Sequence, residues 1–203
     1  MGLEIKTKLR IVVAFCGYIF AIYLMVFISS CRHKTPENIN NICEIFSEQK
    51  KWYKQAKKSQ AKWGTPIHVQ MAILQQESGF KYDAKPGRKR VLGFIPWTRK
   101  SSAYGYAQVL DVTWKEYKKE TKNRGADRDK FKDAIDFVGW YTYHTQKLTK
   151  ISKWDAYNQY LAYHEGRGGY LKGTYKNKSW LTQVAKKVDN NSKNYSAQLK
   201  SCQ

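Results

Sequence analysis

A glutamate at the end of an apolar helix is the residue in this sequence best placed to do chemistry. The sequence predicts a helix with Thr65 as its N-cap and Pro66 at its first position, and Gly79 ends it, so Glu77 falls in the last turn. The carbonyl end of the helix dipole and the apolar neighbours both disfavour a carboxylate, so we expect a raised pKa for Glu77. A carboxylic acid that stays protonated near neutral pH can protonate a glycosidic oxygen. The alternative is an ordinary surface glutamate.

Two later segments combine glycine with aromatic and polar residues. In Gly105-Tyr106-Ala107-Gln108, the glycine predicts a close approach of the backbone to a ligand or to another segment. Gln108 would then be an uncharged donor and acceptor near a cleft, or else an exposed turn residue. In Ala162-Tyr163-His164-Glu165-Gly166, the glycine predicts the end of a helix.

The segments that must position these residues have apolar residues at helical spacing. It predicts helices over residues 43–63, 65–77, 111–122, 129–148 and 155–165, and a last one capped by Ser179. Apolar and polar residues almost nowhere alternate with the period of two typical of strands, so the sequence predicts a mainly α domain. Residues 85–100, from Lys85 to Lys100, hold two prolines, two glycines and several cations, which argue against a regular element. This loop could cover a cleft, dip into a membrane surface or be a solvated insertion.

The N-terminus predicts export. Lys6, Lys8 and Arg10 precede an apolar run over residues 11–28, as in a secretory signal, and Ile28-Ser29-Ser30-Cys31 resembles a bacterial lipobox with Cys31 as the lipidated residue. An uncleaved transmembrane anchor is the alternative. We expect a signal or anchor over 1–30, a tether over 31–42 and one domain over 43–203. Residue 32 is not aspartate, the usual inner-membrane retention signal, so an outer-membrane, periplasm-facing location is favoured.

The remaining cysteines bear on disulfide and metal binding, and the net charge bears on the partners. Cys43 and Cys202 could form a disulfide in an oxidising compartment, or stay as two thiols. No cysteine–histidine spacing is typical of a metal site, and we expect neither a metal nor a cofactor. The formal charge of +21 over 203 residues favours nucleic acid, anionic lipid or an acidic wall polymer, without choosing among them.

Taken in order, the Glu77-Ser78 pair and the two later segments resemble the soluble-type lytic transglycosylases (family 23, goose-type lysozyme-like), over residues 45–200. The resemblance implies a lysozyme-like fold with Glu77 as the single acid/base. It also implies cleavage between N-acetylmuramic acid and N-acetylglucosamine of peptidoglycan, with a 1,6-anhydromuramoyl product. Ser78 and Gln108 would position the sugar, Tyr163 would line the site, and Tyr195 matches a late tyrosine of the family.

Two departures from the family pattern bear on the substrate-binding residues. Tyr106-Ala107 replaces the usual Leu-Met beside Gly105, which would reshape a sugar subsite. His164 replaces the usual asparagine, and its role is either to position substrate or to hold the helix end. Glu165 raises the alternative of a hydrolytic lysozyme, in which water attacks.

Three classes of function compete. A membrane-tethered peptidoglycan lyase, with cell-envelope proteins as possible partners, is the main prediction. A non-catalytic wall-binding or assembly protein on the same fold is the second, and an intact Glu77 argues against it. Nucleic-acid binding is the third, and the export signal and the lack of a nucleic-acid motif weigh against it.

Overall fold

The computed structural model describes residues 34–91, 95–99 and 101–202, together with residues 15, 17–19 and 23. The chain divides into two compact units, residues 1–34 and 35–203. Most of the predicted signal or anchor, and the predicted lipidation site Cys31, lie outside the described residues. Within the described part of the chain, no helix has the length and apolar character needed to cross a bilayer.

The second unit is built from helices, which confirms the prediction of a mainly α domain. A two-stranded antiparallel hairpin and one 3₁₀ turn, Thr174–Asn177, accompany them. The helices are α1 (Ile42–Glu48), α2 (Lys50–Trp63), α3 (Ile67–Ser78), α4 (Asp111–Glu120), α5 (Phe131–Thr149), α6 (Ala156–Leu171) and α7 (Ser179–Leu199), and the strands are β1 (Arg88–Val91) and β2 (Ile95–Arg99).

Two helix boundaries differ from those predicted. The helix predicted over residues 43–63 is two helices, because Gln49 leaves the helical region at φ −108° and ψ 64°. Thr65 does not cap α3. Its hydroxyl is buried and lies 2.7 Å from that of Thr142, while Pro66 precedes the first helical residue.

The hairpin is a correction to the prediction that residues 85–100 form no regular element. Its register pairs Arg88 with Arg99 and Val91 with Ile95, with an irregularity between residues 88 and 90. Pro96 pairs with Arg90, and a proline is tolerated here because each strand of a two-stranded sheet is an edge strand.

Helix α3 is central in the domain and contacts α2, α5, α6 and α7. Because neighbours surround it, it buries apolar residues on all sides instead of along one stripe. Each large apolar side chain buried in this way contributes on the order of 2 kcal/mol. Its buried residues are Ile67, Val69, Gln70, Met71, Ala72, Ile73, Leu74 and Gln75.

An aromatic cluster holds the loops on either side of the hairpin against α2 and α5. The ring of Trp52 stacks on Phe131 with centroids 3.9 Å apart. Phe80, just after α3, lies 5.7 Å from Trp52, and Tyr106 meets the same ring edge-on at 5.6 Å.

The domain begins earlier than predicted, because most of the predicted tether over residues 31–42 packs on it. Pro36 is buried, and the backbone carbonyl of Ile39 accepts hydrogen bonds from the side chains of Gln75 and Tyr195. These contacts tie the segment to α3 and α7, so the structure places the boundary at residue 35.

A disulfide joins the two ends of the domain. Cys43, at the start of α1, is bonded to Cys202, just after α7, with their Cα atoms 6.0 Å apart. The bond closes a loop of sequence separation 159, and in the chain-entropy description this stabilises the fold by on the order of 5 kcal/mol. The side chain of Gln198 reinforces the junction by accepting a hydrogen bond from the backbone N–H of Ile42 at 2.9 Å.

Candidate active site

The end of α3 places Glu77 as the sequence predicts, in the last turn of the helix. Gly79 adopts the left-handed conformation at φ 58°, and its N–H donates to the carbonyl of Gln75 at 2.8 Å. Phe80 also has a positive φ, 62°, which is uncommon for a bulky residue. Its ring is 1% exposed, and this burial offsets the backbone cost.

The side chain of Gln75 fixes the last turn of α3 from two directions. Its amide nitrogen donates to the carbonyl of Ile39 at 2.7 Å and to Oδ1 of Asn40 at 2.9 Å. Its amide oxygen accepts from Asn191 of α7 at 2.6 Å. Because every partner is part of the packed domain, the turn that bears Glu77 is held in one orientation.

Glu77 lies in surroundings that favour its neutral form. Burial raises the pKa of Glu77 to about 8, and a hydrogen bond from Tyr160 opposes that rise by stabilising the carboxylate. An acid with this pKa is mostly protonated at neutral pH and is a competent base once it has given its proton away.

Two tyrosines of α6, one helical turn apart, line the carboxyl group. Tyr160 is 4% exposed, and burial together with the charge of Glu77 raises its pKa well above the ordinary value. The same two causes raise the pKa of Tyr163. Both hydroxyls therefore stay protonated and can donate hydrogen bonds. Tyr160 was not singled out from the sequence, although its spacing of three residues from Tyr163 puts it on the same helix face.

Tyr163 also ties the glycine turn to α6. Its hydroxyl donates to the backbone carbonyl of Ala107 at 2.6 Å. Gly105 has φ 78°, and a Cβ there would lie 2.2 Å from the carbonyl oxygen of Arg128. At Gly105 the backbone therefore approaches another segment of the chain closely.

Gln108 stabilises the same turn. It has a positive φ of 46°, and its side-chain amide nitrogen donates to the carbonyls of Ala84 and Gly105, each at 2.9 Å. The amide therefore holds the turn against the segment that precedes the hairpin. Ser78, beside Glu77, is partly exposed, with its hydroxyl 3.4 Å from the carbonyl of Leu74.

Two residues expected to contact substrate have their side chains in the core. Tyr106 is 2% exposed and packs edge-on against the stacked rings of Trp52 and Phe131. Tyr195 is 1% exposed, with its hydroxyl on the carbonyl of Ile39. In this structure both side chains pack in the core and support the elements that form the site.

The segment after Tyr163 forms an ion-paired cluster. The carboxylate of Glu165 is 4% exposed and accepts from Lys178 at 2.8 and 2.9 Å and from Thr174. These hydrogen bonds lower the pKa of Glu165 to about 2. His164 is exposed, with Nδ1 3.1 Å from Glu165 and its ring against Trp180. Within the described ranges, no group of three or more histidine, cysteine or acidic residues could hold a metal.

One comparison with known proteins gives a match. The family model described as "Transglycosylase SLT domain" covers residues 19–202. No curated protein and no solved structure matches the chain. With the helical architecture, the family match confirms the predicted mainly α, lysozyme-like fold.

Proposed function

Because this chain belongs to the transglycosylase SLT domain family, whose members are lytic transglycosylases of peptidoglycan, we propose that it cleaves the glycosidic bond between N-acetylmuramic acid and N-acetylglucosamine with Glu77 as its single acid/base. The observation that carries this proposal is Glu77 itself. It lies in a fixed helix turn, it is placed beside two tyrosines, and burial raises its pKa to about 8.

In the first step, protonated Glu77 acts as the general acid. Its proton passes to the glycosidic oxygen as the bond from that oxygen to C1 of the muramoyl residue breaks, and the N-acetylglucosamine side leaves as an alcohol. The carboxylate that remains is poorly solvated. The hydrogen bond from Tyr160 stabilises it at this point, because a hydroxyl donor is worth more to a charged acceptor than to a neutral one.

In the second step, the carboxylate acts as the base. It takes the proton from the C6 hydroxyl of the muramoyl residue as that oxygen bonds to C1, which closes the 1,6-anhydro ring and returns Glu77 to its protonated form. No water is consumed. A pKa of about 8 suits both steps, since the group is protonated before the first and basic after it.

The hydrolytic alternative needs a second group to activate water. Glu165 was the candidate, and its ion pair with Lys178 and pKa of about 2 make it a weak base at neutral pH. The non-catalytic alternative gives no reason to keep a poorly solvated acid at this position, since its charged form costs stability. Both observations support the lyase.

The test is mass spectrometry of the soluble products released from purified peptidoglycan sacculi. We expect 1,6-anhydromuramoyl products from the wild type, none from Glu77→Gln, and the same anhydro products from Glu165→Gln as the matched control. Reducing-end muramoyl products that disappear in Glu165→Gln would establish hydrolysis instead. No products from the wild type would refute the catalytic proposal.

We also propose that the domain works outside the cytoplasm, attached to a membrane through a lipid on Cys31. The basic residues and apolar run before this cysteine support it, as does the Cys43–Cys202 disulfide, since such bonds persist in oxidising compartments. Mass spectrometry of the protein from its membrane fraction should find a diacylglyceryl group on Cys31 and none in Cys31→Ala. An unprocessed N-terminus in the wild type would establish an uncleaved anchor.

A further inference from the structure

Helix α2 exposes one side that is rich in lysine. Six of its fourteen residues are lysines, and none is acidic. At 3.6 residues per turn these lysines fall within an arc of about 140°, opposite the buried Trp52, Ala56 and Ser59. All six are exposed, and together they form the cationic face of α2: Lys50, Lys51, Lys54, Lys57, Lys58 and Lys62.

Little within the protein neutralises the cationic face. Among the residues that the structure describes, Lys62 is the only one of the six in an ion pair, with Asp136 at 3.1 Å. The carboxylates of the neighbouring helix α1, Glu44 and Glu48, accept hydrogen bonds from the segment before that helix. Lysines four residues apart on a helix repel each other, so the free protein bears the cost of this repulsion. An anionic partner would remove that cost.

An apolar pocket lies beside the first turn of α2. It has a volume of about 460 Å³, and its lining includes Phe46, Tyr53, Leu199 and the disulfide, together with Lys50 of the cationic face. Lys57 lies over the ring of Tyr53, 5.9 Å from the ring centroid. Apolar groups and positive charge therefore share one surface, which is the combination that suits the interface of a lipid bilayer.

The segment that leads into the domain is held at the same end of α2. The backbone N–H of Glu37 donates to the carboxylate of Glu48 at 3.2 Å, and Glu48 is the last residue of α1, two positions before Lys50. A lipid on Cys31, as proposed above, would keep the bilayer within reach of the domain, because the four residues from Cys31 to Thr35 span at most about 14 Å.

We propose that the cationic face of α2, with the apolar pocket beside it, binds the anionic headgroups of a phospholipid bilayer. This inference rests on the proposed membrane location and not on the proposed reaction. A soluble acidic polymer would match only the charge, whereas a bilayer also accommodates the apolar groups and lies where the chain is attached. Each lysine brought to an anionic surface strengthens binding about fivefold, so several lysines together hold the domain in one orientation on the membrane.

The test measures this contact on the full-length chain. The protein is reconstituted into vesicles of phosphatidylcholine alone, or of phosphatidylcholine mixed with phosphatidylglycerol, and is treated with a membrane-impermeant amine reagent. Mass spectrometry then gives the labelling rate of each lysine. We expect Lys51, Lys57 and Lys62 to be labelled about tenfold more slowly on the anionic vesicles. Lys186 and Lys187, which are exposed on α7, should be labelled at the same rate on both.

Two variants of equal charge identify the surface responsible. Lys54→Gln/Lys58→Gln removes two cations from the centre of the cationic face, so the lysines left on α2 should be labelled on anionic vesicles as fast as on phosphatidylcholine. Lys186→Gln/Lys187→Gln removes the same charge from α7 and should leave the protection of α2 intact. In both variants the substituted side chains are exposed, so the fold should be retained.

The outcomes separate this proposal from the proposed reaction. Equal labelling of α2 on the two kinds of vesicle, or protection that survives Lys54→Gln/Lys58→Gln, would overturn it even if the wild type releases anhydro products. Protection of α2 by soluble polyphosphate, without protection by anionic vesicles, would assign the cationic face to an acidic polymer and would also overturn it. Protection confined to α2 on anionic vesicles, and lost in Lys54→Gln/Lys58→Gln, would establish the contact even if no products form.

Discussion

Replacing Glu77 with glutamine should make the folded domain more stable at neutral and alkaline pH while abolishing catalysis. The pKa of Glu77 rises from the ordinary 4.5 to about 8 on folding because the carboxyl group is buried. Between these two pH values the folded chain holds a proton that the unfolded chain has released. Folding stability therefore falls as pH rises through this interval, and the loss is complete above about pH 8.

The magnitude follows from the same two values. Each pH unit between pH 4.5 and about pH 8 costs about 1.4 kcal/mol, so the free energy of unfolding of the wild type would lose up to about 5 kcal/mol. Glu77 keeps partial contact with solvent, so this is an upper limit, and we expect a loss of about 2–5 kcal/mol. Glutamine has a similar shape and carries no charge, so the free energy of unfolding of the variant does not show this loss as pH rises.

The measurement is urea unfolding of both proteins at a series of pH values from 4 to about 9, with the disulfide intact. The two proteins should be equally stable near pH 4 and diverge above pH 5, with Glu77→Gln the more stable. Titrations of other groups occur in both proteins and cancel in the difference. Parallel stability profiles would mean that Glu77 titrates as an ordinary exposed glutamate, and the acid/base argument would fail with them.

Three further substitutions test the candidate site, the disulfide and the turn at Gly105. Tyr160→Phe removes the donor to the Glu77 carboxylate, so product formation should slow about tenfold and the alkaline limb of the pH–rate profile should move to higher pH; an unmoved limb would contradict the hydrogen bond. Cys202→Ser should lower the free energy of unfolding by on the order of 5 kcal/mol, and reduction of the wild type should give the same loss. Gly105→Ala should destabilise the domain by at least about 2 kcal/mol, because its Cβ would meet the carbonyl of Arg128 and its φ is positive; an unchanged melting temperature would argue against the turn described here.

The position of Glu77 could be predicted because its causes are local. The apolar spacing of Ile67, Met71 and Leu74 and the stop at Gly79 all act within one helix, and they fix the turn in which the acid lies. The raised pKa was predicted from the helix dipole and the apolar neighbours of Glu77, and in the structure burial is its main cause.

The roles of the tyrosines could not be predicted in the same way. The chain has 15 of them, and helical spacing does not say which meet the acid and which fill the core. Tyr160 reaches Glu77 only because α6 packs on α3, and Tyr106 and Tyr195 are buried by the aromatic cluster and by the N-terminal segment. Those contacts are tertiary, so the spacing of residues along one element does not predict them.

The hairpin was missed for a different reason. Prolines, glycines and like charges usually end regular structure, and residues 85–100 contain all three. An isolated pair of strands escapes this rule because each strand has an open edge, so Pro96 costs no hydrogen bond to a further strand.

The disulfide between Cys43 and Cys202 determines how the domain bears mechanical load. A pull on the N-terminal segment, against a glycan strand bound at Glu77 as we propose, would act first on the contacts of residues 35–41 and then on α1. The covalent link passes the tension at once to the end of α7 as well, and α7 packs along α3 and α6. The load is thus shared between α1 and α7, so the candidate active site should keep its geometry when the N-terminal segment is pulled.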